Sequence, residues 1–264
     1  MASVGSELSG AWNFRDVAEQ TGIAPGLFFR ASELSKLDDA GRAALAGYRV
    51  TDVADLRTLR ELERHGPGLV PDGVQIHHLP FVETVATDGE APHEHAFKRM
   101  MTDKPDDESV SAAAARYMTE EYGRIASAPL ARRAVHQVVT LLGSGRRVLA
   151  HCFAGKDRTG FTIAVVLEAA GVDRDAIMAD YLRSNAAVPQ LRESILATVR
   201  ERAVPEIVEV AEARLTESVL GVREDYLDAA RRTIDDEFGS LRGYLEATGL
   251  TDADLERLRK TLHH

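Results

Sequence analysis

One stretch of the chain has the residue types and the spacing for nucleophilic chemistry: His151-Cys152-Phe153-Ala154-Gly155-Lys156-Asp157-Arg158-Thr159-Gly160. Five residues separate Cys152 from Arg158. That is enough backbone to curl around a tetrahedral oxyanion with amide N–H groups turned inward. A phosphate monoester carries a charge of about −2 near neutrality and repels nucleophiles. A ring of amides, the start of a helix and one guanidinium would offset that charge. The same positive surroundings favour the thiolate of Cys152, which is the form that attacks. Attack would give a cysteinyl-phosphate, which water then hydrolyses. Phe153, Ala154, Gly155, Lys156 and Thr159 line the expected oxyanion site. The Thr159 hydroxyl is expected to hydrogen-bond the sulfur as it leaves.

An isolated cysteine in apolar surroundings is usually a small buried hydrophobe. Cys152 departs from that pattern because His precedes it and Gly, Lys, Arg, Thr and Gly follow at loop-forming spacing. The Gly155-Lys156 pair does not make a nucleotide-binding loop. That motif needs glycine where Ala150 stands and Ser or Thr where Asp157 stands.

The flanking residues must hold this loop. Residues 147–151 (RVLAH) read as a short buried strand, and the apolar run 161–171 reads as a buried helix ending at Gly171. Cys152 therefore sits at a strand end and Arg158 at a helix start. Upstream, 26–30, 50–56 and 73–79 read as strands. Residues 36–47 and a segment opened by Pro129 read as helices. Strands separated by helices predict an α/β fold with a mostly parallel central sheet flanked by helices. After Gly171 the pattern is helical throughout. Residues 80–110 read as a long polar loop with a short helix near 97–101. The expectation is a single domain over 1–264.

The formal net charge of −10 argues against a nucleic-acid partner, which needs a broad basic face. The one cysteine excludes an internal disulfide. No apolar run is long enough to span a membrane. The first residues carry no charged-then-apolar leader, so the cytoplasm is the expected location. His77, His78, His93, His95 and His136 form no metal-ligand pattern with an acidic cluster, and no cofactor is expected.

The stretch HCFAGKDRTG resembles the Cys-x5-Arg-Thr phosphate loop of the protein tyrosine phosphatases, in particular a bacterial branch of that family. The blocks Asn13-Phe14-Arg15-Asp16-Val17, Phe29-Arg30-Ala31-Ser32-Glu33-Leu34, Thr51-Asp52-Val53-Ala54-Asp55-Leu56-Arg57, Asp180-Tyr181-Leu182-Arg183-Ser184-Asn185 and 221–227 extend the resemblance over almost the whole chain. It implies a helical lid over the active site, here about 187–238. It also implies metal-free hydrolysis of phosphotyrosine, with phosphoserine, phosphothreonine and phosphoinositides as further substrates. Some members are exported without a conventional signal peptide.

The leaving oxygen needs a proton. Ordinary members take it from an Asp on a separate loop, and the matching region here offers Glu83, with Asp88 beyond it. In the branch that this chain resembles, the Asp inside the phosphate loop is favoured, which maps to Asp157. Lys156 adds a second cation that can meet a neighbouring phosphate on an inositol ring. Arg57 at a strand end, and Arg15 with Asp16, are expected to brace the loop. His151 is read as orienting it rather than as a base. With no second cysteine to rescue an oxidised Cys152, the lid is expected to shield the thiolate. A non-catalytic phosphoprotein-binding module of the same fold is the alternative; such modules often lack the Cys or the Arg, and both are present here.

Overall fold

Parallel strands buried on both faces read as nearly continuous apolar runs, as Leu27-Phe28-Phe29 and Val148-Leu149-Ala150 do. The computed structural model describes residues 8–82 and 109–263. Its strands are β1 (Arg15–Asp16), β2 (Phe28–Ala31), β3 (Asp52–Asp55), β4 (Gln75–His78) and β5 (Val148–His151). They form one sheet in the order β1-β2-β5-β3-β4. Only β1 runs antiparallel; β2, β5, β3 and β4 are parallel to their neighbours. β5 lies at the centre, with His151 in register with Ala31 on one side and Asp55 on the other. Every residue of β2, β3 and β5 is buried.

Side chains alternate between the two faces of a strand, which builds two cores. Phe28, Ala54, Val148 and Ala150 face the larger one. Phe29, Ala31, Val53 and Leu149 face the smaller one with Phe14, Leu34 and Leu45. Leu45 belongs to α2 (Asp39–Gly47), whose N-terminus is capped by the Asp38 carboxylate on Gly41 N. The larger core is covered by α4 (Val110–Ser127), α5 (Pro129–Gly143), α6 (Asp157–Ala170), α7 (Arg174–Leu182), α11 (Glu224–Phe238), α12 (Leu241–Ala247) and α13 (Asp252–His263). α6 stops at Gly171, whose φ of +86° suits glycine. Two short helices, α1 (Ala18–Thr21) and α3 (Leu59–His65), lie in connections.

Three further helices, α8 (Val188–Arg202), α9 (Pro205–Arg214) and α10 (Glu217–Leu220), follow a 3-10 turn. Leu191, Leu196, Ala211, Leu215 and Leu220 make a separate apolar cluster with Phe153 and Ala154. These helices therefore pack on the loop that follows β5. The expected lid ran on to residue 238, but Tyr226, Leu227, Ala230 and Ile234 of α11 belong to the larger core. The apolar stripe of α11 packs against α4 and the core. Strands β2, β3, β4 and β5 and helices α2, α5 and α6 fall where the sequence patterns put them. β1, α3 and α4 were not read in advance. β1 is two residues long, too short to show a period, and α4 begins where the expected polar loop was to end. Glu83, Asp88, His93, His95 and the expected helix near 97–101 lie outside the described residues. Among the described residues no helix is long and apolar enough to cross a membrane.

Candidate active site

Ligands of open α/β sheets bind outside the carboxyl ends of the parallel strands, and Cys152 leaves the central strand at that end. The loop from Cys152 to Lys156 is buried throughout. Its carbonyls are held by the scaffold one after another. Phe153 O accepts from Glu33 N at 3.0 Å. Ala154 O accepts from Asn13 Nδ2 at 3.2 Å. Gly155 O accepts from Asn13 Nδ2 at 2.9 Å and from Arg30 Nη2 at 2.7 Å. In a trans peptide the carbonyl of one residue and the N–H of the next point in opposite directions. Pinning these three carbonyls outward therefore turns the N–H groups of Ala154, Gly155 and Lys156 to the other side, where they have no hydrogen-bond partner among the described residues. Gly155 adopts φ +63°, and a Cβ there would sit 2.0 Å from Ala31 O. Only glycine lets the loop lie this close to the end of β2.

The loop runs straight into α6, so the free amides of the helix start add partial positive charge to the same place. Arg158 is in the first turn. Its Nη1 and Nη2 donate to Glu61 Oε2 and Oε1, each at 2.7 Å, and Nη1 also donates to Leu56 O at 3.2 Å. A guanidinium has five N–H groups. The end-on pair is committed to Glu61, which leaves Nε–H and the second Nη2–H, a side-on fork spaced for two oxygens of one tetrahedral anion. Burial alone would lower the Arg158 pKa, but the Glu61 carboxylate outweighs it and raises it above its ordinary value. Glu61 is itself held by a capping box at the start of α3: its side chain accepts from Thr58 N at 2.7 Å.

A cavity of about 110 Å³ opens beside these groups. Cys152, Asp157 and Arg158 line it together with Phe81, Tyr117 and Ile125 on one side and Leu191, Leu215 and Leu220 of the 188–220 segment on the other. The Cys152 thiol, the Asp157 carboxyl group and the Arg158 guanidinium thus line one small chamber with apolar walls.

The model for the tyrosine phosphatase family matches residues 6–264. The triple specificity protein phosphatase PtpB of Mycobacterium tuberculosis is 54% identical over 97% of this chain and 98% of its own length.

The chain belongs to the tyrosine phosphatase family.

A tyrosine-protein phosphatase of Nostoc commune is a more distant relative, 26% identical over 92% of this chain and 76% of its own. The sequence-derived residues of this phosphatase separate into those in the chamber and those behind it. Cys152, Phe153, Ala154, Lys156, Asp157 and Arg158 line the chamber. Thr159 is fully buried and its hydroxyl has no hydrogen-bond partner among the described residues, so the expected bond to the sulfur is not formed here. Lys156 Nζ donates to Leu220 O at 2.6 Å and lies 3.5 Å from Asp157 Oδ1. It thus ties the loop to the end of α10. His151 Nδ1 lies 3.1 Å from Cys152 O. A carbonyl only accepts, so Nδ1 carries the proton. Burial holds the His151 pKa below its usual value, which keeps the ring neutral as a loop-orienting group.

Arg57 does not reach the chamber. It is clamped by Asp55 and Glu33 behind the loop, with Nη2 2.7 Å from Asp55 Oδ2 and Nη1 3.2 Å from Glu33 Oε2. Arg15 braces the loop through Asn13, whose Oδ1 it holds at 2.6 Å. Asp16 corrects the expectation: its carboxylate accepts from Ala18 N and Gly26 N and organises the β1–β2 connection, so it does not touch the loop. The position of Glu83 lies outside the described residues. Three of the other histidines have structural partners. His77 Nε2 is 2.8 Å from Asp52 Oδ1, His78 Nε2 is 2.9 Å from Arg57 O and His136 Nδ1 is 3.0 Å from Thr248 O.

Sequence reasoning missed Glu61, Asn13, Arg30 and Asp180 as parts of this assembly. Asp180 bridges two buried guanidiniums, with Arg15 Nε and Arg30 Nη1 each at 2.7 Å. Burial alone would raise the Asp180 carboxyl pKa, but the Arg30 and Arg15 charges hold it below the usual range. Thr58 and Glu61 at capping-box spacing were the one local signal available for α3.

Proposed function

We propose that this tyrosine phosphatase works through a cysteinyl-phosphate intermediate, with Cys152 as nucleophile, Arg158 as phosphate clamp and Asp157 as proton donor. The observation that carries the reading is the orientation of the loop peptides: carbonyls pinned to Glu33, Asn13 and Arg30 leave the Ala154, Gly155 and Lys156 amides free for an oxyanion. The Cys152 thiolate attacks phosphorus, the P–S bond forms and the P–O ester bond breaks. The Asp157 proton goes to the departing oxygen. Water then attacks phosphorus, its proton passes to Asp157, and the P–S bond breaks to return the thiolate and release inorganic phosphate. The amides and the Arg158 fork hold the equatorial oxygens in both steps, where charge builds up.

Phosphotyrosine is the primary substrate in this reading. The apolar walls around Phe81, Tyr117 and Ile125 suit an aryl ring. Phosphoserine, phosphothreonine and phosphoinositides are further substrates, supported by the name of the Mycobacterium tuberculosis relative, a triple specificity protein phosphatase, and by Lys156 as a second cation at the loop. For Lys156 to meet a neighbouring phosphate it must leave Leu220 O. Residues 188–220 act as the lid, since their apolar cluster closes on Phe153 and Ala154. The whole chain works as one catalytic domain.

The test is a panel of phosphotyrosine, phosphoserine and phosphothreonine peptides and phosphoinositide micelles, with chelator present. Turnover of the phosphotyrosine peptide is expected with wild type and none with Cys152→Ser, which should still bind inorganic phosphate. Turnover by Cys152→Ser at the wild-type rate would end the reading.

A further inference from the structure

The Asp157 carboxylate has a partner that the reaction scheme above does not use. Tyr122 of α4 donates from its hydroxyl to Asp157 Oδ1 at 3.1 Å. The same hydroxyl lies 2.6 Å from the hydroxyl of Tyr181 on α7. A phenol has one proton. Tyr122 spends its proton on the carboxylate, so Tyr181 must donate to Tyr122. The result is a directed chain, Tyr181 to Tyr122 to Asp157, in which every hydrogen is assigned. Both rings are fully buried. Tyr181 is seated closely on α6 because Gly160 has no side chain; a Cβ there would lie 2.8 Å from the ring. Burial, together with the Asp157 charge, pushes both phenols well above their ordinary pKa, so they stay protonated donors.

We propose that Tyr122, held by Tyr181, is a positioning residue for the proton donor: it occupies Asp157 Oδ1 and so directs the transferable proton to Oδ2. Lys156 Nζ approaches the same Oδ1, at 3.5 Å. Oδ2 has no hydrogen-bond partner among the described residues, and the carboxyl group lines the chamber that holds Cys152. An Oδ1 surrounded by two donors binds a proton poorly, whereas Oδ2 is open toward the ester oxygen. Without Tyr122 the carboxyl group can rotate about its χ2 bond, which is soft and roughly two-fold, and the proton is delivered only part of the time. The contact is made across three elements, from α4 and α7 to the first residue of α6, so no local motif encodes it.

The inference rests on Asp157 being the proton donor, and the experiment separates the two ideas. Leaving-group dependence is the readout, because acid catalysis matters for an alkyl oxygen and little for a nitrophenolate. Tyr122→Phe should lower kcat/KM, which covers the steps up to ester cleavage and leaves out hydrolysis of the cysteinyl-phosphate, by about tenfold on a phosphoserine peptide and by less than about twofold on p-nitrophenyl phosphate. Tyr181→Phe, which keeps the Tyr122–Asp157 bond, should show a smaller loss in the same direction. It serves as the second variant if Tyr122→Phe does not fold. The double variant Tyr122→Phe/Asp157→Asn should be no slower on phosphoserine than Asp157→Asn alone. If Asp157→Asn lowers kcat/KM equally on the two substrates, the proton-donor reading fails and the positioning role with it. If Asp157→Asn discriminates between them but Tyr122→Phe does not, or if the double variant loses activity multiplicatively, the positioning role alone is overturned.

Discussion

Substituting Glu61 by Gln tests the central claim that Arg158 is aimed by a buried partner. In the wild type the two carboxylate oxygens take one N–H each from Nη1 and Nη2 at 2.7 Å. Gln has nearly the same shape but offers one acceptor and one NH2 group. One charge-assisted bond is therefore kept in weakened form and the other becomes a donor facing a donor. Hydrogen bonds to charged groups contribute about 1.5–3 kcal/mol each, and removing one member of a buried ion pair costs about 3–5 kcal/mol. A loss near 3 kcal/mol follows. With an unfolding entropy of about 2.1 cal/mol/K per residue, the whole chain should melt about 5 °C lower. The capping box at Thr58 weakens as well, because Glu61 Oε2 serves both Thr58 N and Arg158.

The assay is thermal unfolding with and without inorganic phosphate, beside kcat/KM on an aryl phosphate. The variant's guanidinium is a buried cation short of an anion, so phosphate should raise its melting temperature more than it raises that of wild type. Catalysis should fall about 10- to 100-fold, since a fork that is no longer anchored loses its alignment with the anion. A variant that melts within about 1 °C of wild type and shows the same phosphate-induced shift would refute the reasoning, because Arg158 would then not depend on Glu61.

Gly155→Ala must move the end of β2 or the loop, since its Cβ would lie 2.0 Å from Ala31 O; phosphate binding measured by calorimetry should be lost while the far-UV circular dichroism is retained. Asp180→Asn leaves Arg15 and Arg30 without their shared anion, and a stability loss of about 3–5 kcal/mol in urea unfolding at pH 7 is expected. The folded-state pKa of Asp180 is depressed, so its contribution is present above the unfolded value near 4 and is lost as pH falls below it. Wild type should therefore lose stability more steeply than Asp180→Asn on acidification below about pH 4. Asn185 holds both Val222 N and Val222 O, at 2.7 and 3.1 Å, where the chain leaves α10. Asn185→Ala should loosen the covering helices, read as faster alkylation of Cys152 by iodoacetamide; an unchanged rate would count against a lid in residues 188–220.

The catalytic loop was legible in the sequence because everything that defines it is local. An apolar strand, a run containing Cys152, Gly155 and Arg158, and an apolar helix ending at Gly171 lie within 25 residues, 147–171. Backbone sterics and helix capping act over that distance, so residue type and spacing were enough to read the strand–loop–helix unit and the parallel sheet that presents it. What aims those groups was not legible. Glu61 lies 97 residues from Arg158, Arg30 lies 125 from Gly155, and Arg15 lies 165 from Asp180. Each is a single polar contact whose partner is chosen by how the sheet and helices pack, and no period or motif links its two ends. The same holds for the stripe on α11, which reads alike for a cover and for a core. Local sequence determined which residues form the loop; tertiary packing decided which way the loop peptides, the Arg158 fork and the Asp157 carboxyl group point.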